Sequence, residues 1–148
     1  LLAAMGARVV HCGGNGVGQA AKICNNMVLA ANMIAVSEAF VLGEKLGLTP
    51  QAFYDVASTA SAQCWSLTSY CPVPGVGPAS PADNDYEPGF AAALMHKDLG
   101  LAAKALRDNH VESVVGLAAA DVYARFAESG GAGKDFSAII TDIRDKSQ

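Results

Sequence analysis

Charge is scarce in this sequence: Lys, Arg, Asp and Glu make up 16% of 148 residues, against 51% hydrophobic residues. That balance excludes a disordered chain and supplies enough apolar material for one packed domain. The basic residues form no cluster and the net charge is −4, which argues against nucleic acid as a partner. Cysteine is sparse too. Cys12, Cys24, Cys64 and Cys71 form no C-x-x-C pair and share no zinc-ligand rhythm with the three histidines, so no metal site is expected. They read as reduced structural thiols, with Cys24 inside a buried helix. A long uninterrupted apolar run is also missing. The longest, "MVLAANMIAV" from Met27, is broken by Asn32 and followed by Ser37 and Glu38, so no membrane partner is expected. The chain starts without Met and in mid-pattern. We expect a piece of a longer protein, in which the absence of a targeting segment carries no weight.

What is present is helical periodicity. Residues 8–12, "RVVHC", predict a short strand or an extended lead-in. From about Val17 to Leu46, the residues Ala20, Ile23, Met27, Ala31, Ile34, Phe40 and Val41 recur at helical intervals. Apolar residues also cover much of the remaining surface, as in a helix buried on several sides. Such a helix would be ~45 Å long and would end at Gly47. Thr49 and Pro50 then cap and open a second helix to about Ser58. A weaker third covers "SAQCWSLTSY". Residues 71–89 hold five of the six prolines, which excludes regular structure, and a connection of this length is usually functional or disordered. Helices resume in "FAAALMHKDLGLAAKALRDNH", in "VESVVGLAAADVYARFAESG" and in "KDFSAIITDIRDK", the last capped by Asp135 or Ser137. The expected fold class is all-α: about six helices bundled around one long N-terminal helix.

The stretch "GGNGVGQAAKICNN" needs a test of its own. Gly16, Gly18 and Ala21 satisfy G-x-G-x-x-A, the spacing of a dinucleotide-binding turn. That turn requires a second parallel strand ending in an acidic residue ~20 residues later. Glu38 lies near that distance, but inside the helical run and after no strand. The glycines therefore read as a tight turn that lets a helix N-terminus approach something closely. Lys22, Asn25 and Asn26 follow at i, i+3 and i+4 and share one helix face. An ammonium beside two carboxamides near a helix N-terminus suits a small oxygen-rich anion, or an amine held ready for proton transfer. A solvated lysine beside two interhelical asparagines fits the same spacing.

These residues also carry a resemblance. "GVGQAAKICNN" resembles the G-x-G-x-x-x-K-x-x-N-N signature of the β-hydroxyacid dehydrogenases, and "MHKDLGLA" resembles that family's second C-terminal signature. Between them, "CWSLTSYCPVPGV…NDYEPGF" is similar to the loop of the 3-hydroxyisobutyrate dehydrogenase branch. The resemblance implies the all-helical C-terminal domain found in 6-phosphogluconate dehydrogenase-like proteins, here residues 1–148, with substrate and dimerisation roles. The N-terminal Rossmann domain, which binds most of the cofactor, has no counterpart in this chain. Carried over by motif, Lys22 is the catalytic lysine. Asn26, and more weakly Asn25, hold the substrate, while Lys97 reaches the cofactor NAD and Phe90 packs against it. Asp98 caps the helix after Lys97 or orients that lysine, with capping placed first. The implied reaction oxidises 3-hydroxyisobutyrate to methylmalonate semialdehyde in valine catabolism. The alternatives are a related tartronate semialdehyde or glyoxylate/succinic semialdehyde reductase, or an inert helical dimerisation module if the chain acts alone. The implied partners are the missing Rossmann domain, a small hydroxy acid and a second copy in a dimer or tetramer. The alanine- and glycine-rich composition points to the bacterial cytoplasm, and a eukaryotic source would point to mitochondria.

Other residues read more plainly. His11 and His110 are expected at the periphery, and His96 on the surface or in packing. Trp65 is expected to be core or to anchor the loop, with a place in a pocket wall as its other reading. Val122 and Phe126 are expected in the core.

Overall fold

The structure, a computed structural model, describes residues 8–148; residues 1–7 of the expected domain lie outside the described part. Among the described residues there is no strand, and residues 8–12 form the extended lead-in rather than the strand. Six α-helices follow: α1 (Val17–Lys45), α2 (Pro50–Ala57), α3 (Trp65–Thr68), α4 (Ala92–Asp108), α5 (Val115–Glu128) and α6 (Ile139–Lys146). The all-α expectation therefore holds, with the third helix shortened to a single turn.

α1 starts where the glycines predict a turn. Gly16 is its N-cap at φ 85°, a left-handed conformation that glycine adopts without steric cost. Among the described residues nothing makes the expected close approach: a Cβ added at Gly16 or Gly18 meets nothing within 4 Å. At the other end Gly47 has φ 87°, and the Leu48 amide donates to the Gly43 carbonyl at 2.9 Å, closing the helix with a left-handed cap. Thr49 then accepts the Ala52 amide at 3.2 Å and Pro50 opens α2.

Every other helix touches α1. Its buried stripe runs Asn26, Ala30, Met33, Ser37, Phe40, a spacing of four and three that keeps one face inward. Met95, Leu99 and Ala102 of α4, Tyr123 and Phe126 of α5, and Ile139 and Ile140 of α6 fill the core around that stripe. Phe126 is core as expected, and Val122 packs against the core half-buried. α5 crosses α1 where Gly116 meets Met27, whose Sδ lies 2.7 Å from the position of an added Cβ. Arg144 donates twice to Glu44, at 2.6 and 3.2 Å, and ties α6 to the end of α1.

Three expectations need correction. α1 is buried on several sides only from Asn26 onward; its first turns, including Cys24, are largely exposed, because of the described elements only α4 reaches them, along one side. α1 is also long and apolar enough to cross a bilayer, with a mean hydropathy of 1.5, although no uninterrupted apolar run shows it. In this fold it is the central helix of the bundle. The proline-rich segment 71–89 is ordered by its own polar groups. Ser80 and Asp83 form a capping box around the 3-10 turn Pro81–Asn84, and Asp83 also accepts the Gly75 amide at 2.6 Å. The Ser80 hydroxyl donates to the Cys71 carbonyl at 2.7 Å, and the Tyr86 hydroxyl to the Pro72 carbonyl at 2.9 Å. All four cysteines are free thiols; burial pushes the Cys71 thiol pKa up and keeps it protonated and inert.

Candidate functional site

The helical face carrying Lys22, Asn25 and Asn26 meets α4 at Asp98. Lys22 Nζ donates to Asp98 Oδ1 at 3.3 Å, and Asn26 Nδ2 donates to Asp98 Oδ2 at 2.6 Å. Asn25 Nδ2 donates in turn to Asn26 Oδ1 at 3.1 Å. The carboxylate is nearly buried while the Lys22 side chain is 58% exposed. A carboxylate withdrawn from water is costly unless charge-assisted bonds replace its hydration, and here one ammonium and one amide do so. The result is an ammonium fixed where α1 meets α4, more than half exposed and able to reach a ligand.

This geometry corrects the reading of Asp98. α4 begins at Ala92 with Ala91 as its N-cap, so Asp98 lies inside the helix and caps nothing. Its partner is Lys22, 76 residues away in sequence, not Lys97. Lys97 is exposed on α4 one position earlier, about 100° round the helix. Phe90 is half-buried just ahead of α4, with its ring edge-on to Phe136 at 5.6 Å between centroids. Neither Lys97 nor Phe90 shares a side-chain hydrogen bond with the Lys22 group among the described residues.

Asn25 also lines a cavity of about 450 Å³ between α1 and α3, together with Val28, Leu29, Asn32, Trp65 and Ser66. Trp65 is half exposed here rather than core, and its indole stacks on Tyr70 at 4.8 Å. His11, His96 and His110 are exposed, as expected.

One residue that sequence reasoning reduced to a cap is structurally central. Asp135 does cap the 3-10 turn Phe136–Ala138 through the Ser137 amide, and it is also completely buried. Its Oδ1 accepts the Ser137 amide at 2.9 Å and the Ser137 hydroxyl at 2.7 Å. Its Oδ2 accepts the Tyr70 hydroxyl at 2.9 Å and the amides of Gly89 and Phe90 at 3.1 and 3.0 Å. Neither Tyr70 nor Phe90 is near Asp135 in sequence, so no local signal announces these bonds.

Burial pushes the phenol pKa of Tyr70 upward, and the hydrogen bond to Asp135 and its charge add to this. Burial does the same to Tyr86 and Tyr123. The folded chain therefore holds these protons more tightly than the unfolded chain, whose tyrosines titrate near ~10. Their stabilising effect is complete below about pH 10 and is lost as pH rises toward the folded values. Denaturant midpoints measured from about pH 8 to pH 11 are expected to fall from about pH 9, where the unfolded counterpart of the buried Cys71 thiol ionises, and more steeply above about pH 10, where the tyrosines follow.

Comparison with known proteins gives a consistent answer. Residues 16–143 match the family described as NAD-binding of NADP-dependent 3-hydroxyisobutyrate dehydrogenase, a description that implies NAD(P) use by its members. The probable 3-hydroxyisobutyrate dehydrogenase of Mycobacterium tuberculosis is 52% identical over 97% of this chain and 49% of its own length. The human mitochondrial 3-hydroxyisobutyrate dehydrogenase is 43% identical over 99% of this chain and 44% of its own. The chain thus spans about half the length of the curated relatives it matches. The structure of the M. tuberculosis 3-hydroxyisobutyrate dehydrogenase with L-serine superposes with a TM-score of 0.91 at 53% identity, covering 95% of this chain and 48% of that one. A Salmonella typhimurium 3-hydroxyisobutyrate dehydrogenase shares the fold at a TM-score of 0.71 and 23% identity. With the family match over most of its length, the Lys22 and Asp98 signatures and this fold, the chain belongs to the 3-hydroxyisobutyrate dehydrogenase family.

Proposed function

We propose that this chain is the helical, substrate-facing domain of an NAD-dependent 3-hydroxyisobutyrate dehydrogenase, which oxidises 3-hydroxyisobutyrate to methylmalonate semialdehyde in valine catabolism. One observation carries the reading: Lys22 and Asn26, from a single helix face, are both held by the nearly buried Asp98. Lys22 is the acid/base. The ammonium held by Asp98 is the acid form, which gives its proton to the carbonyl oxygen in the reductive direction; in the oxidative direction the neutral amine takes the proton of the substrate hydroxyl, and Asp98 stabilises the ammonium so formed. Asn26 orients the substrate. Its amide nitrogen is committed to Asp98 and its oxygen to Asn25, which fixes the plane of the carboxamide. Asn25 extends the polar wall toward the Trp65 cavity.

The donor set near α4 fits a nicotinamide dinucleotide. Lys97 offers an exposed ammonium for anionic oxygens, and the half-buried Phe90 ring offers an apolar contact. The bound cofactor supplies the hydride acceptor. We assign most of its binding to an N-terminal dinucleotide-binding domain outside this chain. Exposed apolar residues, among them Val28, Leu42, Leu101 and Val115, support burial against that domain and against a second copy in a dimer. We place the enzyme in the bacterial cytoplasm, or in mitochondria for a eukaryotic source. The same exposure favours a second reading for the isolated chain, that of an inert helical module.

The test is turnover by the full-length protein and by this chain alone, with 3-hydroxyisobutyrate, glycerate and 4-hydroxybutyrate, each with NAD and NADP. We expect turnover only in the full-length protein, with 3-hydroxyisobutyrate and NAD giving the highest kcat/KM. A higher kcat/KM for another acid would transfer the assignment to the related reductases. No turnover with any pair would leave the inert module.

A further inference from the structure

The side chains that line the two edges of the proposed site are not joined directly, yet both hang on one atom. Asp135 Oδ2 accepts the Tyr70 hydroxyl and the Phe90 amide. Tyr70 in turn stacks on Trp65 at an interplanar angle of 21°. Trp65 walls the cavity that Asn25 opens into, and Asn25 is hydrogen-bonded through Asn26 to Asp98 and Lys22. On its other side Tyr70 stacks on Phe136 at 5.4 Å, and Phe136 also carries the Phe90 ring. Aromatic packing alone would leave these rings room to slide, because favourable ring pairs tolerate centroid separations from about 4.5 to 7 Å. A hydrogen bond to a buried carboxylate is strongly directional. The Tyr70 hydroxyl is therefore the contact that fixes the stack.

We propose that Tyr70 is a positioning residue for the hydroxy-acid and nucleotide sites: its hydrogen bond to Asp135 fixes Trp65 in the cavity wall and links that wall to Phe90. The inference rests on the proposed function, since it assigns the cavity to the substrate side and Phe90 to the nucleotide side. It adds a residue that touches neither ligand. The arrangement also accounts for the burial of Asp135. Oδ1 is used locally by Ser137, and Oδ2 is used by the two elements that reach the site.

Ser137 supplies the control, because its hydroxyl donates to the other oxygen of the same carboxylate, Oδ1, from two residues away in sequence. Tyr70→Phe and Ser137→Ala each delete one hydroxyl donor to Asp135 and leave the ring or backbone in place. In the full-length enzyme, Tyr70→Phe is expected to raise KM for 3-hydroxyisobutyrate and for NAD by about 5- to 20-fold, with kcat changed less than about twofold. Ser137→Ala is expected to leave both KM values unchanged at a comparable loss of Tm. Trp65 is the only tryptophan of this chain, and its share of the full-length enzyme's emission, taken as the difference from Trp65→Phe, reads the wall: that share and its acrylamide quenching should change in Tyr70→Phe and not in Ser137→Ala. Equal KM values in the two variants, or an unmoved Trp65 emission in Tyr70→Phe, overturns the inference alone. Absence of turnover in the wild-type enzyme overturns the function and the inference together.

Discussion

Lys22→Ala in the full-length enzyme is expected to lower kcat by about 10²- to 10⁴-fold, the usual contribution of a positioned acid/base. The reason is local. Without the amine, no group on this helix face can take the hydroxyl proton: Asn25 and Asn26 are amides already bonded to one another and to Asp98. The fold should survive, because Lys22 is more than half exposed and Asp98 keeps its 2.6 Å bond from Asn26. KM should change less than kcat, since the lost interaction belongs to proton transfer rather than to uniform binding. Added methylamine should restore part of the rate, which a purely structural lysine would not allow. Asp98→Asn should cost less, about tenfold, because an amide oxygen can still accept from Asn26 while the charge opposite Lys22 is gone. Wild-type turnover in Lys22→Ala would remove the acid/base assignment.

Asp135→Ala is expected to cost about 3–5 kcal/mol of folding stability, a large share of the ~5–15 kcal/mol that holds a domain together. The carboxylate is completely buried and receives five donors. Deleting it strands those donors in a low-dielectric interior, where each unmade bond costs ~1–3 kcal/mol before relaxation. The contrast is Asp83. It also accepts backbone amides, from Gly75 and Ser80, but at the surface, where water replaces a lost acceptor. Asp83→Ala should cost about 1 kcal/mol, the value of an exposed cap. Chemical denaturation of both variants checks the difference, and equal midpoints would show that Asp135 is no structural node.

The parts of this protein that were legible in its sequence are those set by short-range rules. α1 was expected from about Val17 to Leu46 and runs Val17–Lys45, because 3.6-residue periodicity and a left-handed glycine stop are local properties. Thr49 and Pro50 open α2 for the same reason. The face shared by Lys22, Asn25 and Asn26 follows from helix geometry alone. The third helix shrank to Trp65–Thr68 because its apolar residues serve a cavity wall and a stack, not a continuous helical face.

Sequence by itself determined the all-α class, the long central helix, the face that Lys22, Asn25 and Asn26 share on its first turns and, through two separated motifs, the family. Only the tertiary structure decided which charged groups meet. Asp98 looked like a helix cap beside Lys97 and instead crosses to Lys22; Asp135 looked like a cap and gathers Tyr70, Gly89 and Phe90 around one oxygen. It also decided that Cys24 and the start of α1 are exposed and that Trp65 lines a cavity. The physical reason is the same in each case. Helical periodicity is written in neighbouring residues, whereas the partner of a buried carboxylate is chosen by where distant helices cross, and no spacing along the chain encodes that crossing.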